Sequence, residues 1–124
     1  MIVIGGENLI DLIQQPDGQF KAVAGGSPYN TARAAARQEQ STGYLTPISA
    51  DSFGDLLAGV MQADNVVLLA ERPNVPSSLA VVTVLNGQPA YQFYREGTAE
   101  RAVTAASLIA AMPASARIFS VGSL

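Results

Sequence analysis

The stretch Ala24-Gly25-Gly26-Ser27-Pro28 constrains this chain more than any other. Two glycines followed by a proline end an extended segment and let a helix begin at once. Glycine tolerates backbone angles closed to other residues, and proline suits the first helical turn, where its missing N–H costs no hydrogen bond. Residues 29–40, rich in Ala, Arg, Gln and Glu, then read as a helix, with Ser27 as its N-cap and Pro28 at its first position. Such a helix buries one face on a neighbour, and the segments around it indicate a sheet.

Upstream, residues 1–4 form a short β-branched run closed by Gly5 and Gly6, which predicts a buried strand and a tight turn. Residues 9–14 and 19–23 flank Pro16-Asp17-Gly18 and predict a hairpin. Downstream, residues 42–48 read as a second buried strand, and residues 53–63 as a second helix that stops at Asp64-Asn65. After Pro73 and Pro76, residues 78–85 and 90–95 form a further hairpin across Asn86-Gly87, the dipeptide favoured in type I′ turns. Residues 104–112 predict a helix ended by Pro113, and residues 117–121 a last strand. The order is strand, hairpin, helix, strand, helix, hairpin, helix, strand. Helices alternating with buried strands predict an α/β fold with a parallel sheet, the two hairpins forming a separate β-element outside it.

Composition excludes several chemistries. The 124 residues contain no Cys and no His, which removes thiol nucleophiles, disulfides, His-assisted triads and the usual zinc ligand sets. Lys21 is the single lysine and the arginines are scattered from Arg33 to Arg117; with a net charge of −3 this leaves no basic footprint for nucleic acid. No apolar run approaches the length of a membrane span, and Gly5-Gly6-Glu7-Asn8 interrupts the first apolar run too early for a signal peptide. The expectation is a cytoplasmic protein without nucleic-acid or membrane partners.

The remaining candidate site is Gly25-Gly26-Ser27-Pro28-Tyr29-Asn30. A backbone without side chains, a helix N-terminus with unpaired N–H groups and an amide that donates and accepts suit a polyol or sugar. The same residues are equally read as a turn and a helix cap. No Gly-Lys-Ser/Thr follows any glycine and Gly5-Gly6 lacks the dinucleotide-binding spacing, so a Walker-type nucleotide site is disfavoured.

Residues 25–32, Gly-Gly-Ser-Pro-Tyr-Asn-Thr-Ala, resemble the N-terminal signature of the PfkB carbohydrate kinases of the ribokinase-like superfamily. Gly6-Glu7-Asn8-Leu9-Ile10-Asp11 is similar to that family's opening motif, Asp51-Ser52-Phe53-Gly54-Asp55 to its Asp-x-Phe-Gly turn, and residues 93–99, Phe-Tyr-Arg-Glu-Gly-Thr-Ala, to the exit of the lid hairpin in the fructokinase and ketodeoxygluconate-kinase branch. Residues 117–124 resemble the strand ending in a Gly-Ser-Leu turn. Two positions depart from the pattern: Glu39 stands where a small residue is usual, and Ser49 where a glycine is usual.

The resemblance implies the N-terminal part of a ribokinase-like, Rossmann-like parallel sheet with helices over residues 1–124, with β-lid segments at about 9–23 and 78–95. It implies ATP-dependent phosphorylation of a hydroxyl on a sugar or sugar acid, with Asp11, Gly25, Gly26, Asn30 and Arg95 contacting the substrate. Fructose-like and ketodeoxygluconate-like substrates both fit. The family's Gly-Ala-Gly-Asp motif, which carries the catalytic aspartate, is not in these residues, and family members are more than twice as long. The expectation is therefore a partial kinase domain without the ATP-binding half, inactive by itself, with ATP and Mg2+ used by the full-length enzyme. The second reading is a truncated sugar-binding or oligomerisation module, and a homodimer through the β-lid or an exposed sheet edge is a further expectation.

Overall fold

The structure is a computed structural model and describes residues 1–123. Its elements are β1 (Ile2–Gly5), β2 (Leu9–Gln14), β3 (Phe20–Gly25), α1 (Ser27–Arg37), β4 (Thr42–Tyr44), α2 (Ser52–Ala63), β5 (Val67–Leu68), β6 (Leu79–Leu85), β7 (Gln88–Tyr94), α3 (Ala105–Ala111) and β8 (Ile118–Val121), with a 3-10 turn at Ala99–Arg101.

Four strands form a wholly parallel sheet in the order β5-β4-β1-β8. From β1 the chain builds outward through β4 and β5, then returns to β8 on the other flank of β1. The strand order therefore reverses between β1 and β8, and the carboxyl ends of strands at such a reversal form the natural crevice of an open α/β sheet. Strand alternation divides the core between the two faces. Ile4, on one face, joins Tyr29 and Ala32 of α1 and Leu57 and Met61 of α2 in a buried cluster. Val3, on the opposite face, is paired in register with Phe119, and Phe119 shares a cavity lining with Leu108, Ile109 and Met112 around α3.

The second sheet contains four strands in the order β3-β2-β6-β7. Its margins are two antiparallel hairpins, β2–β3 and β6–β7, and its centre is a parallel pairing of β2 with β6 in which Asp11 lies opposite Ala80. The β6–β7 turn has φ of 50° at Asn86 and 75° at Gly87, both positive as a type I′ turn requires. The two hairpins of the sequence reading are thus joined along one seam.

Several boundaries differ from the sequence expectation. Helix α1 starts two residues earlier than expected, and its cap is Gly26 (φ 116°) instead of Ser27. Ser27 lies inside the helix because its N–H is taken by a carboxylate from elsewhere, Glu7 Oε1 at 3.2 Å. The second strand ends at Tyr44: Leu45 still donates its N–H to Ile4 O, but the Thr46 hydroxyl then accepts Gly6 N–H and Pro47 has no N–H to give. The short strand β5 has no alternating signal in the sequence and pairs through two residues only.

The Asp51 turn is a helix cap, as its sequence suggests. One oxygen of Asp51 accepts Gly54 N–H at 2.7 Å and the Ser77 hydroxyl at 2.7 Å, and the other accepts Ser77 N–H at 2.8 Å. Burial pulls this carboxyl upward, but the donors from Gly54, Ser77 and Ser49 outweigh it and hold it below the usual carboxylate range. Ser49, one of the two departures, is fully buried; its hydroxyl donates to Val75 O and accepts Asp51 N–H. Among the described residues no helix is long and apolar enough to cross a membrane.

Candidate functional site

Asp11 is the most exceptional side chain on the second sheet. It stands in an apolar strand, Leu-Ile-Asp-Leu-Ile, half-buried, and among the described residues no donor meets its carboxylate. Burial raises its pKa above the ordinary value, the response of a carboxylate that has lost water without gaining a partner. The register explains its place. Leu9 pairs with Gly25 and Asp11 with Val23, so Asp11 and Gly25 are diagonal neighbours on one face. A Cβ on Gly25 would collide with Asp11 Oδ2, so Gly25 is the residue that leaves room for the carboxylate.

Gly26 serves a different contact. Its backbone adopts a positive φ, and a Cβ would lie 2.5 Å from Glu7 O and 3.2 Å from Asn8 Cα. The start of α1 is therefore pressed against the turn that follows β1. Glu7, buried in that turn, reaches Ser27 N–H and also accepts from the Ser123 N–H at 2.7 Å and the Ser123 hydroxyl at 2.9 Å. It places a negative charge at the positive end of α1 and ties the ends of β1 and β8 together. Asn30 sits exposed in the first turn of α1. Its backbone N–H goes to Gly26 O, while its side-chain amide makes no hydrogen bond among the described residues and does not cap the helix.

Arg95 follows the last paired residue of β7. The structure places it in an ion pair that its sequence context does not announce. Its Nε donates to Glu100 Oε1 at 2.8 Å and its Nη2 to Glu100 Oε2 at 3.2 Å, a two-pronged ion pair with only 4% of the Glu100 side chain exposed. The Ser78 hydroxyl lies 2.8 Å from Glu100 Oε1 and 2.7 Å from Thr98 Oγ1, and Thr98 donates to Arg95 O. This ring fastens the start of β6 to the end of β7 and the 3-10 turn. The Glu100 hydrogen bond raises the Arg95 pKa further, with Glu7 adding to it through space.

Arg95 and Glu100 line a cavity of about 380 Å³ with Gly5, Gly6, Glu7, Thr46, Arg101, Phe119 and Val121. These are the carboxyl ends of β1 and β8, where the parallel sheet reverses its strand order. Asp11, Gly25, Gly26 and Asn30 are not in that lining. Arg95 extends the face of β7 that carries the stacked rings of Tyr91 and Phe93, and Phe93 aligns through Ala80 with Asp11. Two strand spacings across and two residues along separate Arg95 from Asp11, about 12 Å between Cα atoms at ordinary sheet dimensions.

Glu7 and Glu100 carry much of this arrangement and were not singled out as site residues from sequence. Glu7 lies within the opening motif, and Glu100 follows Arg95 by five residues, but their partners come from Ser123 and Ser78, far away in the chain. Beneath the site Tyr44 donates to Gly6 O at 2.7 Å, and burial pushes its phenol well above the ordinary value.

Comparison with known proteins gives a consistent set. The family model described as pfkB family carbohydrate kinase matches residues 1–124. Fructokinase of Rhizobium leguminosarum bv. trifolii is 40% identical over 114 residues, covering 87% of this chain and 35% of that protein. Fructokinase-2 of Solanum lycopersicum is 32% identical over 136 residues, covering 100% of this chain and 41% of the relative. The chain thus spans about a third to two fifths of the length of these curated relatives. Among solved structures, fructokinase from Xylella fastidiosa superposes with a TM-score of 0.80 at 30% identity, over 86% of this chain and 37% of that one. Fructokinase from Vibrio cholerae O395 in its fructose-, ADP- and calcium-bound form gives 0.76 at 20% identity over 97% of this chain and 39% of that one, a likeness of fold alone.

Proposed function

The chain belongs to the pfkB family of carbohydrate kinases, and from that membership we propose that it supplies the sugar-binding part of an ATP-dependent kinase acting on a sugar hydroxyl. The observation that carries this reading is Asp11: a half-buried carboxylate that meets no donor among the described residues, kept clear by Gly25, the residue that ends β3 just before the helix carrying Asn30, whose side-chain amide likewise has no partner among them. A carboxylate accepts two hydroxyl donors at once, and an amide can accept one and donate another, so the pair can grip adjacent hydroxyls of one sugar ring. Gly25 and Gly26 let the ring approach the start of α1, and Arg95 donates from the far side. The second sheet, its hairpins at about 9–23 and 78–95, acts as the lid above the bound sugar.

ATP is the phosphoryl donor in this reading, supported by the ATP-bound fructokinase structure from Xylella fastidiosa. The described residues contain no group of three or more acidic, His or Cys side chains fit to hold Mg2+, and no step is derived through that ion. These residues bind and orient the sugar; holding and transferring the phosphoryl group falls to other parts of the full-length kinase, and the chain by itself transfers none.

Calorimetric titration of fructose tests the site. Asp11→Ala and Asn30→Ala are each expected to weaken binding at least about tenfold, the loss of one or two charge-assisted or amide hydrogen bonds. Unchanged fructose affinity in both variants refutes the assignment. If the chain binds no sugar and instead associates with itself as its concentration rises, the second reading, an oligomerisation module, replaces the first.

A further inference from the structure

We propose that Glu100 sets substrate specificity by neutralising Arg95, so that the site takes an uncharged ketose and rejects a sugar acid. The inference rests on the sugar site proposed above and decides between the two substrate types that the sequence left open.

The cavity at the β1–β8 reversal holds two carboxylates, Glu7 and Glu100, and two guanidiniums, Arg95 and Arg101. Asp11 adds a third carboxylate on the adjoining face, so the charged groups around the bound sugar sum to −1. An arginine recruits a carboxylate ligand through its two-pronged donor edge. In this chain that edge of Arg95, Nε with Nη2, is already occupied by Glu100. What remains is the outer edge, the two N–H groups of Nη1 and one of Nη2, which meet no acceptor among the described residues; with the charge of Arg95 offset by Glu100, these donors suit a hydroxyl or a ketose oxygen. Glu100 is itself held by the Ser78 hydroxyl and is almost wholly buried, so it cannot swing away to release the arginine at no cost. A carboxylated sugar would therefore meet net negative charge and an arginine whose own charge is already offset, whereas fructose meets acceptors and donors only. This is discrimination by an unfavourable charge against the wrong ligand.

The test compares fructose with 2-keto-3-deoxygluconate by calorimetry on the chain and on Glu100→Gln, Glu100→Asp and Arg95→Ala, with circular dichroism to verify folding. The wild-type chain is expected to prefer fructose by at least about tenfold, the discrimination that one unbalanced charge in a partly wet site supplies. Glu100→Gln should narrow that preference about tenfold by leaving the charge of Arg95 without its counter-charge, and its gain for the acid should fade between about 0.05 and 0.5 M salt as screening rises. Glu100→Asp keeps the charge and should keep the preference. A wild-type chain that binds the acid as tightly as fructose overturns the inference, whether or not Glu100→Gln folds, and so does a folded Glu100→Gln with an unchanged ratio. Arg95→Ala should weaken fructose binding; if it does not, while Asp11→Ala does, Arg95 is not at the sugar and the inference falls with the rest of the site intact. A chain that binds neither sugar overturns the site and the inference together.

Discussion

Replacing Glu39 with glycine should make the protein more stable. Helix α1 ends in a Schellman arrangement: Glu39 N–H donates to Ala36 O at 2.9 Å and Gln40 N–H to Ala35 O at 3.3 Å. The geometry requires a left-handed residue at position 39, and Glu39 supplies it with φ of 61°. The side chain is exposed and makes no hydrogen bond or ion pair among the described residues that would offset the strain. A left-handed residue with a Cβ costs about 1 to 2 kcal/mol, and the extra freedom of glycine in the unfolded chain gives back about 0.5 to 1. The net gain is about 0.5 to 1 kcal/mol. With an unfolding entropy of about 2.1 cal/mol/K per residue, a chain of this size gains about 2 to 4 °C in Tm. Thermal unfolding followed by circular dichroism at fixed concentration measures this, with Glu39→Ala and Glu39→Asn as controls. Alanine retains the Cβ and should leave Tm nearly unchanged, asparagine should fall between, and glycine should be highest. A glycine variant no more stable than the alanine variant refutes the reasoning. The small residue that the resembled family usually has at this position then has a physical explanation: it removes a strain that this chain retains.

Two further substitutions have defined outcomes. Asp51→Ala removes the cap of α2 and leaves the buried Ser77 N–H and hydroxyl without their acceptor, so urea unfolding should show a loss of about 2 to 3 kcal/mol. Because the folded pKa of Asp51 is depressed, its contribution is complete above the ordinary carboxylate value and lost as pH falls through the folded value; the variant and wild type should converge in acid. Asp11→Asn has the opposite sign, since the folded pKa of Asp11 is raised. Its ionised form penalises the fold at neutral pH and not below the ordinary carboxylate value, where both states are protonated. The variant should be more stable than wild type at pH 7, equal to it in strong acid, and poorer at binding sugar; a neutral-pH Tm below that of wild type contradicts this.

The fold was largely legible because its signals are local. Asn86-Gly87 specifies its own turn, Asp51 caps the helix beginning next to it, and the run at residues 1–4 is a strand by composition. The errors lie where a distant group decides. Ser27 is a good cap by type, yet Glu7 takes its N–H and Gly26 becomes the cap. Strand β5 exists because β4 offers it an edge, and two residues carry no period of their own. At the candidate site, Asp11 stands out in the sequence as a carboxylate among Leu and Ile, and its lack of a donor among the described residues agrees with that. The occupation of Arg95 was not, because Glu100 is brought to it by Ser78 and Thr98, and these contacts form only when the chain folds back on itself.

The parallel seam between β2 and β6 has a consequence for the order of events in folding. Each hairpin closes through a short turn and can form within microseconds. The seam joining them must wait, because the chain from Gln15 to Ser78, which includes α1, β4, α2 and β5, lies between its strands and has to be arranged first. Parallel pairing is also slightly weaker per residue than antiparallel pairing. Amide exchange in this sheet should therefore be fastest for protons bonded across its middle and slower within each hairpin, so that the two leaves part from one another before either unzips. A sugar gripped by Asp11 on one leaf and Arg95 on the other would slow that parting.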